Sequence, residues 1–101
     1  MGKEEVKSKI REALERSPLR KKIEKLSLFG SYAKGGAKAE SDVDVLVEFR
    51  AGATIGFFNL SELKNIMEQV LNKKVDLVTP DAISRYLKEG IINESELIYE
   101  R

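Results

Sequence analysis

A chain of 101 residues, 42% apolar and 35% charged, has room for one small core, and it fits neither a disordered segment nor a membrane-embedded one. Eighteen Lys and Arg against seventeen Asp and Glu leave a formal charge of +1, so no bulk field would hold a long nucleic acid by counterion release. The absence of cysteine and histidine excludes thiolate nucleophiles, disulfide frameworks, Cys/His zinc sites and histidine triads, leaving carboxylates, hydroxyls, amines and hard metal ions to carry any chemistry.

The start, Met1-Gly2-Lys3-Glu4-Glu5, carries no apolar core of a signal peptide. No apolar run approaches the roughly 18 to 20 residues of a membrane span, so a cytoplasmic protein is expected. Val6, Ile10, Ala13 and Leu14 recur at helical spacing and predict an amphipathic helix over about 4–15. Ser17-Pro18 breaks it, with Ser17 placed to cap a short turn. The basic run Arg20-Lys21-Lys22, with Lys25, reads as a solvated face in preference to a nucleic-acid contact. Leu26-Ser27-Leu28-Phe29 then reads as a strand that stops at Gly30-Ser31, and Tyr32 to Ser41 as a loop or short irregular helix.

A second strand spans Asp42 to Phe49. Its alternation puts Val43, Val45, Val47 and Phe49 on one face and Asp42, Asp44, Leu46 and Glu48 on the other. A helix is expected next, with Asn59 as its N-cap, Phe58 stapled against Leu63, and a buried stripe of Leu60, Leu63, Met67, Val70 and Leu71. On this reading Phe57 and Phe58 are core residues, not a stacking platform for a base.

Lys74-Val75-Asp76-Leu77-Val78 reads as a third strand with Val75 and Leu77 inward and Asp76 outward. Another helix is expected from about Asp81, with Ile83, Leu87 and Ile91 on one side; Leu97-Ile98-Tyr99 is an edge strand or a last turn. The alternation of elements predicts one α/β domain over 1–101, a small mixed sheet with helices packed on one face and the other face left for a site.

Asp42 and Asp44 project from one strand face, and Asp76 joins them if its strand is a neighbour. Three ionised carboxylates repel unless a cation compensates, and an all-oxygen ligand set suits Mg²⁺ or Mn²⁺. Gly30-Ser31, at a strand end and a helix start, offers close backbone approach, a hydroxyl and main-chain N–H groups to a phosphate. A phosphate-holding turn beside a metal-binding carboxylate trio is the equipment of nucleotidyl transfer.

Gly30-Ser31, ten residues, then Asp42-Val43-Asp44 resembles the signature of the DNA polymerase beta-like nucleotidyltransferase superfamily. Leu28-Phe29-Gly30-Ser31-Tyr32-Ala33-Lys34-Gly35 and Lys74-Val75-Asp76-Leu77-Val78 look like its minimal nucleotidyltransferases, the antitoxin partners of HEPN-domain toxins. The resemblance implies that Asp42, Asp44 and Asp76 ligate Mg²⁺, two ions in number, and that Gly30, Ser31 and Lys34 contact the nucleotide. It also implies that AMP passes from ATP to a tyrosine hydroxyl of a cognate HEPN toxin. Asp76 is then the candidate to take the hydroxyl proton, in a chain without histidine.

Where family members commonly carry Arg, this chain has Lys34, which keeps the charge but loses the bidentate fork. So short a chain suggests an acceptor pocket completed by a partner or by self-association. The competing reading is a non-catalytic module of the same fold that neutralises its partner by contact alone.

Overall fold

The computed structural model describes residues 1–101. The first helix, α1 (Lys3–Glu15), buries Val6, Ile10, Ala13 and Leu14, the stripe that the spacing predicts. Ser17 closes the turn after it, its Oγ accepting from the Leu19 N–H at 3.0 Å. A 3-10 turn at Arg20–Lys22 then leads into β1 (Ile23–Phe29). This strand begins three residues before the Leu26 of the sequence reading, because Ile23 is fully buried and pairs with Phe49.

A five-residue helix, α2 (Gly30–Lys34), follows, then β2 (Val43–Phe49), α3 (Phe57–Leu71) and β3 (Val75–Val78). After a 3-10 turn at Pro80–Ala82 come α4 (Arg85–Glu94) and β4 (Glu96–Glu100). The sheet runs β3-β2-β1-β4, with β1 antiparallel to both β2 and β4 and β2 parallel to β3.

Cross-strand partners share a face. Val43, Val45 and Val47 pair with Val75, Leu28 and Leu26 among others, and these residues meet the α1 and α3 stripes in the main core. The opposite face carries Asp44, Leu46 and Glu48 of β2 with Phe29, Ser27 and Lys25 of β1. Leu46 and Ser27 are buried there, outside the main cluster, and the segment after β3 contacts β2.

Two helix starts depart from the sequence reading. The helix α3 starts at Phe57, with Gly56 and not Asn59 as N-cap; Asn59 sits inside the first turn, its Oδ1 accepting from the Gly56 N–H at 3.3 Å. Phe58 is therefore a helical residue pointing outward, 84% exposed, and staples nothing; Phe57 is 77% exposed. Leu63, Met67 and Leu71 do form the buried stripe, with Leu60 and Val70 partly buried beside them.

The last helix starts at Arg85, later than the Asp81 expected. Pro80 opens a 3-10 turn instead, Ile83 is extended, and Ser84 Oγ caps the Tyr86 N–H at 3.4 Å. It buries no residue fully, and Leu87 is 62% exposed. The C-terminal segment is an edge strand with a bulge between Leu26 and Ser27 of its partner. Arg11 Nε donates to the Ile98 carbonyl at 2.8 Å and blunts that edge.

Candidate functional site

Because β1 runs against β2 and β3, its C-terminal end lies at the same margin of the sheet as the N-terminal ends of the other two. That topology brings Gly30 and Ser31, which leave β1, to Asp42, Asp44 and Asp76, which enter β2 and β3. Phe29 pairs with Asp44, and Asp44 pairs in turn with Asp76 across the parallel ladder. The two carboxylates thus point from the same face of adjacent strands, which lie about 4.8 Å apart. Asp42, exposed, stands just before β2 begins.

Glycine is favoured at position 30 on two counts. Its φ is +72°, a region that other residues enter at a cost, and a Cβ there would overlap Asp44 Oδ2 and come within 3.3 Å of the Asp44 Cβ. The Gly30 backbone lies directly against the Asp44 carboxylate. Ser31 follows in the first turn of α2, where N–H groups lack intrahelical acceptors.

Burial pushes the Asp44 carboxyl up to about 6, and the negative charges of Asp76 and Asp42 add to the shift. Asp44 therefore feels both neighbouring acids, a repulsion that a bound divalent cation would relieve, and the donors are all oxygen, as Mg²⁺ prefers. The set fits such an ion in residue type. Their side chains as they stand do not form a single cluster of three at metal-ligand spacing.

Lys34 sits at the end of α2 with its Nζ 3.0 Å from Glu94 Oε2 of α4, both side chains more than half exposed. Its ion pair is with Glu94 and not with an aspartate of the site. Three anchors of the site, at Lys73, Ser41 and Glu68, escaped sequence reasoning. Lys73 Nζ donates to the Ala39 carbonyl at 2.6 Å and lies 5.9 Å from the Tyr32 ring centroid, tying the loop before Asp42 to the turn before β3. Within that loop Ser41 Oγ accepts from the Lys38 N–H at 2.8 Å, and the Ser41 N–H donates to the Lys38 carbonyl at 3.0 Å. Glu68 accepts from the Val75 N–H at 2.9 Å and fixes the entry to β3. The Lys73 contact joins segments more than thirty residues apart and the Glu68 contact follows a helix end, so no local spacing marks either.

The largest concavity lies elsewhere, a cleft of about 520 Å³ at the far end of β2, between that strand, the N-terminus of α3 and the Thr79–Asp81 segment. A smaller one of about 210 Å³ borders Asp42 beside Lys73 and Lys74. No helix is long and apolar enough to cross a membrane.

The family described as "Polymerase beta, Nucleotidyltransferase" matches residues 8–101. A Methanocaldococcus jannaschii protein provisionally named a protein adenylyltransferase is 40% identical over 95 residues, covering 94% of this chain and 96% of that one. Among solved structures, one described provisionally as a minimal nucleotidyltransferase superposes with a TM-score of 0.76 at 29% identity, covering 94% of each chain. Another, described as a toxin-antitoxin with AMP-PNP, gives 0.74 at 26% identity over 94% of this chain and 73% of that one.

Proposed function

Given that the chain belongs to the polymerase beta nucleotidyltransferase family and is a nucleotidyltransferase, we propose that it is a protein adenylyltransferase that moves AMP from ATP to a tyrosine hydroxyl of a HEPN-type toxin and so acts as its antitoxin. The observation that carries the reading is the pairing of Asp44 with Asp76 on adjacent parallel strands, at the sheet margin where Gly30-Ser31 leaves β1. Relatives with adenylyltransferase names, and a structural neighbour holding an ATP analogue, support nucleotide use. The HEPN partner rests on the motif resemblance.

In this reading Asp42 and Asp44 would hold Mg²⁺, two ions in all, with Asp76 as the third ligand. Bound there, the ions would supply Lewis-acid stabilisation of the attacking and leaving oxygens. The bare Gly30 backbone gives the triphosphate close approach, and Ser31 offers its hydroxyl and first-turn N–H to phosphate oxygens. The acceptor oxygen forms a bond to the α-phosphorus, the bond from that phosphorus to the bridging oxygen of pyrophosphate breaks, and Asp76 takes the hydroxyl proton. Lys34, paired with Glu94, would offer its ammonium to phosphate as a point charge.

The test is calorimetric titration of ATP with and without Mg²⁺, on the native chain and on Asp42→Asn/Asp44→Asn, followed by transfer of labelled AMP to the HEPN protein. Binding that needs Mg²⁺ and is lost in the variant, with label on a partner tyrosine, is the expected result. Silencing of the partner that survives the double substitution would identify a contact-only module.

A further inference from the structure

The 520 Å³ cleft is separate from the aspartate site: none of Asp42, Asp44 and Asp76 lines it. Its origin is a gap in the sheet. Pairing of β3 with β2 ends at Leu46 and Val78, whereas β2 runs on to Phe49, so that side of its last residues has no strand neighbour. Val47, Phe49 and Leu60 wall the cleft, and Phe57, 77% exposed, stands at its rim with Phe58 edge-on to it at 5.7 Å. Large aromatic surface left in water beside an apolar hollow is the mark of a recognition site.

Charge narrows the occupant. In a chain of formal charge +1, the lining carries two acids, Glu48 and Asp81, and no cation; neither acid is in an ion pair. Lys25 stands opposite Glu48 across the β1–β2 ladder without forming an ion pair with it, and Lys22 donates from outside the lining to the Thr54 carbonyl at 3.3 Å. We infer that this cleft is a docking site for a protein segment that inserts an aromatic or large apolar side chain flanked by a basic residue, the base meeting Glu48 and Asp81.

Glu48 shares the face of Asp44, four residues and so roughly 13 Å further along the strand, close enough for one partner to span both places. That the partner is the acceptor of AMP rests on the function proposed above. The docking site itself does not.

The test uses the isotope-labelled full chain and two peptide probes, acetyl-Arg-Phe-Arg-amide and acetyl-Glu-Phe-Glu-amide, with amide shifts as the readout. The basic peptide is expected to move Glu48, Phe57 and Asp81 and to leave Asp42, Asp44 and Asp76 in place, and the acidic peptide to move nothing. Glu48→Lys/Asp81→Lys, and separately Phe57→Ser at an exposed position that costs no core, should each weaken the basic peptide at least about tenfold with ATP binding unchanged. Equal response to both peptides, response elsewhere, or ATP moving the same cleft amides would overturn the inference. Loss of AMP transfer in the native chain would instead strike the proposed function and leave the peptide result standing.

Discussion

Gly30 and Asp44 are interlocked: the Asp44 side chain fills the space that any side chain at position 30 would need. Gly30→Ala therefore pays twice, for a φ of +72° and for overlap with Asp44, and should lose at least about 2 kcal/mol of stability together with nucleotide binding. Gly35→Ala is the matched control, since its φ is +85° but an added Cβ meets nothing. It should cost only about 1 kcal/mol and leave ATP affinity intact. Urea unfolding and ATP titration of both variants separate strain from site damage.

Asp44 makes the aspartate site pH-sensitive in a definite direction. Its carboxyl is raised from 3.8 to about 6 by burial and then by Asp76 and Asp42, so the folded protein binds this proton more tightly than the unfolded chain. The associated stability is fully present below the unfolded value and is lost as pH rises through about 6. Asp44→Asn should thus raise the metal-free Tm at pH 7 to 8 and flatten its fall between pH 4 and 6. Mg²⁺ competes with the same proton, so Mg²⁺-dependent ATP binding in the native chain should strengthen across pH 5 to 7. A midpoint unchanged by the substitution would show that Asp44 carries no such strain.

The strand alternation that placed Val43, Val45 and Val47 against the helices and Asp44 on the opposite face was readable, because side-chain direction along a strand is fixed by the backbone itself. The same holds for Val75 and Asp76. Helix starts were less legible. Asn59 with Phe58 and Leu63 fits a capping-and-staple pattern, yet the helix begins at Phe57, and Asn59 serves the Gly56 N–H from within the first turn. An apolar Phe57-Phe58 pair looked like core on composition alone, and only the direction imposed by the helix puts both in water. Spacing could not reveal Lys73 on Ala39, because such a contact depends on how distant segments meet.

The edge strand β4 is held to α1 by charge. Glu96 accepts from Lys7 at 2.8 Å and also pairs with Lys3, and hydrogen bonds from Lys3 and then Lys7 hold its carboxyl below the ordinary range. A depressed carboxyl contributes stability above its unfolded value of 4.5 that disappears as pH falls through the folded one. Glu96→Gln should lower the Tm at pH 7 and lessen the acid sensitivity below pH 4.5. It would leave Lys7, a largely buried amine, without its main partner, while ATP binding stays as in the native chain.

Lys73 offers the sharpest separation of positioning from binding. Its ammonium grips the Ala39 carbonyl and faces the Tyr32 ring, and it lines the small cleft beside Asp42. Lys73→Met keeps the aliphatic stem and removes both polar contacts, at a cost of about 1 kcal/mol. The loop at 35–42 should then exchange its amide hydrogens faster, and Asp42 should lose its fixed place. Lys73→Arg restores a donor and a cation over the ring, and should recover slow exchange and most of the ATP affinity. If Lys73→Met weakens ATP several-fold with loop exchange unchanged and Lys73→Arg fails to rescue it, Lys73 touches the nucleotide itself and its hold on Ala39 is incidental.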